Sequence, residues 1–119
     1  MNFLPAMSAK ARKAKGQQIR AWHLKRRTDS DLSDLARAIN AQVRGWINYY
    51  GAFYRSKLYL LARRIDQQLV RWAMYKFKRL RGRRTKAWEW LHAVRQRQPQ
   101  LFAHWHMLPL TQRRPVGAV

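Results

Sequence analysis

The tightest constraint in this chain is one run of apolar residues with helical spacing. Leu32, Leu35, Ala36, Ile39, Val43, Trp46, Ile47 and Tyr50 recur three and four apart, the spacing of one face of an α-helix. Just ahead of them, Thr28-Asp29-Ser30-Asp31 offers a capping-box-like start and puts acidic groups at the positive end of the helix dipole. Gly45 is expected to interrupt the run and Gly51 to end it. An amphipathic stripe of this kind gains most of its stability from packing. The rest of the chain therefore has to supply apolar partners.

It does so with further helical patterns. A first helix is expected from an N-cap at Ser8 to about Leu24. Its apolar stripe is thin, Ile19 and Trp22, and Lys10, Arg12, Lys13, Lys15 and Arg20 cover most of its surface. Gly16 weakens it further. A third helix starts near Ser56, with Leu58, Leu61, Ala62, Ile65, Leu69, Trp72, Ala73 and Leu80 as its core stripe. Arg63, Arg64, Arg71, Lys78 and Arg79 lie off that stripe, and Gly82 is the expected stop. A fourth helix begins near Thr85, carries Trp88, Leu91 and Val94, and ends before Pro99. Leu101, Phe102 and Trp105 form a last apolar patch, a short helix or docked turn. No segment has the period of a strand. The expected class is all-α, a small bundle of three to four helices with a short C-terminal helical cap. Residues 1–27 read as a basic N-terminal segment with the first helix, 28–108 as the helical domain, and 109–119 as a frayed tail.

Charge narrows the partner. Lys and Arg number 26 against 5 Asp and Glu, a formal charge of +21 on 119 residues. Such a charge repels itself within a compact fold, and a polyanion relieves that repulsion. RNA or DNA is the default candidate. Eighteen of the 26 cations are arginine, whose planar fork binds phosphate bidentately and stacks on bases. GC-rich coding, which raises Arg and Ala together, is the competing source of that bias. The acids are unevenly placed, leaving 10–27 and 76–86 as two acid-free basic runs. The second run is expected at a helix C-terminus, where cations also favour the dipole. Six Trp, five Tyr and four Phe exclude a disordered basic tail. No apolar run approaches the ~18–20 residues that span a bilayer. The absence of cysteine excludes disulfides and Cys-based metal sites, and fits a reducing compartment. The expected location is the cytoplasm.

No catalytic constellation can be assembled. There is no glycine-rich phosphate loop, and Asp29, Asp31 and Asp34 cluster where capping explains them. His104-x-His106, with His92 nearby, lacks an acid or Cys to complete a metal set. His104, between Phe102 and Trp105, reads instead as packing or RNA-facing. No catalytic residue, cofactor or metal is expected.

One segment is more specific than composition, namely Arg44-Gly45-Trp46-Ile47-Asn48-Tyr49-Tyr50-Gly51. A glycine inside a helix costs about 1 kcal/mol relative to alanine. It is tolerable where a neighbouring backbone or ligand approaches closely. Trp46 and Tyr50 are on the apolar stripe and read as helix–helix contacts, whereas Arg44 and Tyr49 are off it.

With these residues in view, the chain resembles the maturase-specific domain (domain X, or thumb) of bacterial group II intron reverse transcriptase/maturases. The matching pieces are Arg-Arg-Thr-Asp at 26–29, Leu32 through Asn40, the 44–51 segment, Leu-Val-Arg-Trp-Ala at 69–73 with Lys76, and Leu-Phe-Ala-His-Trp at 101–105. The similarity runs from about Phe3 to Trp105. It implies a helical domain that binds intron RNA and helps it fold into its self-splicing form, the RNA itself carrying out the transesterifications. It also implies a second role, gripping a template–primer duplex during reverse transcription. The family's Tyr-Ala-Asp-Asp polymerase motif and the HNH endonuclease of some relatives are missing. The chain therefore reads as a free-standing C-terminal piece, with group II intron RNA as its partner and a separately encoded reverse transcriptase domain as a second one.

The expected RNA-binding residues are Lys25, Arg26, Arg27, Arg44, Lys76, Lys78, Arg79, Arg81, Arg83, Arg84 and Lys86, with Tyr49 as the stacking residue. A ribosomal-protein-like or other non-specific basic helical nucleic-acid binder is the alternative.

Overall fold

The computed structural model describes residues 9–51 and 55–108. Five α-helices occur among them: α1 (Ala9–Ala21), α2 (Leu32–Tyr50), α3 (Arg55–Lys76), α4 (Arg84–Arg97) and α5 (Ala103–Met107). Short 3-10 turns at Leu24–Arg26 and Lys78–Leu80 join them, and the described residues contain no strand. The all-α expectation holds. The expected tail at 109–119 and the N-cap at Ser8 lie outside the described residues.

α3 is the hub. α1, α2, α4 and both 3-10 turns pack on it, and α5 packs on α2. Every residue of its expected core stripe is buried, Leu58, Leu61, Ala62, Ile65, Leu69, Trp72 and Ala73 within the helix and Leu80 beyond it. The α2 stripe is buried too, from Leu35 through Tyr50, except that Leu32 and Trp46 are half-buried. The basic N-terminal segment contributes Ile19 and Leu24 to the same core, both with no exposed surface.

The start of α2 follows the sequence closely. Asp31 is the N-cap, and its Oδ1 accepts from the Asp34 N–H at 2.9 Å. Asp34 Oδ2 in turn accepts from the Asp31 N–H at 3.1 Å, a reciprocal capping box. Gly45 does not interrupt the helix, which continues unbroken to Tyr50.

Two helix ends differ from expectation. α1 stops at Ala21 rather than Leu24, because His23 takes a left-handed backbone (φ 53°, ψ 40°) and turns the chain into the 3-10 segment. Histidine is among the few non-glycine residues that tolerate this region, so no glycine marks the break. α3 ends at Lys76, six residues before Gly82. Phe77 is extended and packs edge-on against Trp72, at a centroid distance of 5.8 Å, and against Trp90. That aromatic contact drops Leu80 into the core from a 3-10 turn instead of a helix. Gly82, at φ +73°, then makes the bend that leads into α4.

The recognisable motif segments act mainly as joints. Trp72 donates its indole N–H to the Arg27 carbonyl at 2.7 Å, and Lys76 Nζ donates to the Thr28 carbonyl at 2.6 Å. Together they tie the 26–29 segment to α3. Asn40 holds the C-terminal cap from both sides. Its Nδ2 donates to the Leu101 carbonyl (3.0 Å) and its Oδ1 accepts from the Ala103 N–H (2.9 Å). Below it lies a buried polar cluster in which Asp66 Oδ1 accepts from His104 Nε2 at 2.7 Å and from Trp105 Nε1 at 3.0 Å. Asp66 and His104 are the buried polar residues of the described core. Arg95 approaches the Trp105 carbonyl at 3.5 Å. Burial lowers its pKa, opposed by the Asp66 carboxylate.

Candidate nucleic-acid interface

The cations of the 76–86 run do not form one patch. Only Lys76 belongs to the end of α3. Arg83 is the N-cap of α4, and Arg84 and Lys86 lie in its first turn. These three therefore sit at the positive end of a helix dipole rather than the negative end, where the dipole disfavours them. No side chain caps that terminus. The arrangement costs stability in the free protein and favours an anion.

The run also splits sideways around α4. Arg81 and Arg84 line a cleft with Arg71, Met74 and Tyr75 of α3. Arg79, Arg83 and Lys86 line a second cleft with Leu80, Trp90 and the carboxylate-bearing Glu89. Lys78 is exposed on the intervening turn.

The other expected residues fall elsewhere. Arg26 and Arg27 are exposed and Lys25 is half-buried, at or next to the first 3-10 turn. Arg27 uses its Nε to donate to the Trp22 carbonyl at 3.1 Å. Lys76 is engaged internally, bonded to Thr28 and over the Trp72 ring at 5.5 Å. The links at residues 27 and 28 bring Lys25, Arg26 and Arg27 to the end of α3 beside Lys76. Arg44 and Tyr49 are exposed on α2 and line none of these clefts. Tyr49 is 74% exposed and meets Tyr50 edge-on, which leaves ring surface open to stacking. Trp46 stacks on Trp22 at 5.6 Å, with Lys15 Nζ over both Trp46 and Tyr50. Trp46 and Tyr50 are thus helix–helix contacts, as the stripe position required. Among the described residues, a Cβ at Gly45 would meet no atom within 4 Å, so none of them makes the close approach considered for it.

His104 is a packing residue. It is buried among Phe102, Trp105 and Asp66, while His106 is exposed. No group of three or more metal-ligating side chains occurs among the described residues. No described helix is long and apolar enough to cross a membrane.

Five cations outside the expected set line a pair of clefts along α3. Arg12 and Lys13 face Arg63 and Arg64 across one of them. Arg63 continues into the next with Arg71 and Arg84. The signal was present in the sequence as off-stripe positions of α3. Arg63, Gln67 and Arg71 recur every four residues and so share one face.

The fold and this surface define a small, strongly cationic, all-helical domain. The chain belongs to the group II intron maturase-specific domain family, whose family model matches residues 12–105. Comparison with curated proteins gave no match, and comparison with solved structures gave none. The family is the maturase-specific, non-catalytic part of reverse transcriptase/maturases and serves group II intron splicing.

Proposed function

We propose that this protein binds folded group II intron RNA and helps it reach its splicing-active form, the RNA supplying the catalytic groups. The observation that carries this reading is the pairing of family membership with a net charge of +21 laid over a buried helical core. The RNA-facing residues proposed are Lys25, Arg26, Arg27, Arg44, Lys78, Arg79, Arg81, Arg83, Arg84 and Lys86, with Tyr49 stacking on an unpaired base. Lys76 acts through its hold on Thr28. A reverse transcriptase domain on a separate chain is the proposed protein partner, and the cytoplasm the proposed location.

Competition binding tests the reading. Labelled group II intron RNA is challenged with unlabelled intron RNA, ribosomal RNA and duplex DNA at fixed salt. Intron RNA is expected to compete at least tenfold better than the others. Equal competition by all three supports the general nucleic-acid binder instead and overturns intron recognition.

A further inference from the structure

Three clefts follow one another along the outer side of α3, each sharing lining residues with the next, and together make a groove. The first, between α1 and α3, is lined by Arg12, Lys13, Arg63 and Arg64. The second, between α3 and α4, shares Arg63 and Gln67 with it and adds Arg71, Arg84 and Trp88. The third shares Arg71 and Arg84 and ends at Tyr75, Arg81 and Gly82. Arg63 to Arg71 is eight residues, about 12 Å of helix, and Tyr75 lies one further turn along.

Four properties of this groove suit it to an anion. No carboxylate lines any of the three clefts, although Glu89 lines the cleft on the far side of α4. Arg12 Nε is buried with no hydrogen-bond partner among the described residues, although a buried guanidinium N–H normally has an acceptor. Arg84 sits at the uncapped positive end of α4, where an anion is favoured. Finally, Gly16 is buried on α1 against Arg64, and a Cβ there would lie 2.5 Å from Arg64 Nη1. The glycine, costly within a helix, leaves the Arg64 guanidinium the place it occupies in the groove. Trp88 holds Arg63 from beneath, with the guanidinium carbon 5.3 Å from the ring centroid.

We propose that this groove is a phosphate track for one strand of RNA. Arg12, Arg63, Arg64, Arg71 and Arg84 hold successive backbone phosphates, and Tyr75, 57% exposed at the far end, stacks on an unpaired base. The proposal rests on the RNA-binding reading above and adds the place where the strand lies.

The test uses the full chain, a folded group II intron RNA, and two charge-matched triple variants. R12Q/R71Q/R84Q removes three groove cations and keeps most of each side-chain stem. R20Q/R37Q/R97Q removes three cations that line none of the three clefts. The groove triple is expected to lose at least 30-fold in affinity and to flatten the slope of log K against log salt by about 2. The control triple is expected to lose less than threefold. Equal losses in the two triples overturn the track while leaving RNA binding intact. No binding by the unaltered chain overturns both. Gly16→Ala provides a readout that changes no charge and does not depend on the triple folding. It displaces the Arg64 guanidinium while raising helix propensity, so affinity should fall five- to tenfold with melting temperature unchanged or higher. Unchanged affinity in Gly16→Ala contradicts the track.

Discussion

The C-terminal joint and the outer groove of α3 handle polar groups in opposite ways. At the joint, Asp66, His104, Trp105 and Asn40 direct their hydrogen bonds into the protein itself, and only His104 Nδ1 among their buried side-chain atoms lacks a partner. In the groove, arginines crowd together without a carboxylate among the lining residues. One α3 helix serves both, since Asp66, two residues from Arg64, points to the opposite, buried side of the helix. Two consequences follow. The most recognisable residues, such as Asn40 and those of the 101–105 segment, hold the fold together. The residues that fit an external anion belong to plainer sequence.

Four variants sharpen or break this comparison, in order of expected size. Asp66→Leu leaves the His104 and Trp105 donors buried without an acceptor and should cost about 3 kcal/mol. That appears as a melting-temperature drop on the order of 10 °C, with the salt dependence of RNA binding unchanged in the folded fraction. Arg81, Arg83 and Arg84 changed together to Ala should weaken RNA binding on the order of 30-fold at constant helicity, read by filter binding and circular dichroism. Because these three flank both sides of α4, Arg83→Ala alone should cost less than Arg84→Ala alone. Asn40→Leu removes both bonds that seat the cap and should cost about 1.5 kcal/mol, seen by chemical denaturation. Gly45→Ala should be the smallest effect and opposite in sign. Its Cβ meets nothing within 4 Å among the described residues, so the helix gains up to about 1 kcal/mol. If Gly45→Ala also lowers RNA affinity tenfold, the RNA rather than the protein makes the close approach at that glycine. Stability losses from the groove variants, or altered salt dependence from the joint variants, would erase the distinction between the regions.

Much of this architecture was legible in the sequence. The α2 stripe and its Asp31–Asp34 box are local features, and local spacing determines them. Local patterns could not show the break at His23, which rests on a left-handed backbone at a non-glycine residue. Nor could they show that Phe77 ends α3 early, because Trp72 and Trp90 draw that ring aside from different positions along the chain. The sequence pattern puts the basic run at 76–86 at a helix C-terminus, because the apolar spacing of α3 continues to Leu80. Gly82 and the start of α4 distribute them over two clefts and invert their relation to the helix dipole. Conversely, the groove cations come from three helices, and local patterns place Arg63, Arg64 and Arg71 off the α3 stripe without showing that Arg12 and Arg84 meet them.

The central claim is that RNA is held chiefly by cations contacting phosphates. The most direct measurement is the affinity of the full chain for folded group II intron RNA between about 50 and 200 mM salt. With about 6–8 phosphate contacts, log K should fall linearly with log salt at a slope of about −4 to −7, several orders of magnitude across that range. A slope near zero, or a chain that retains its affinity at the highest salt, would contradict it.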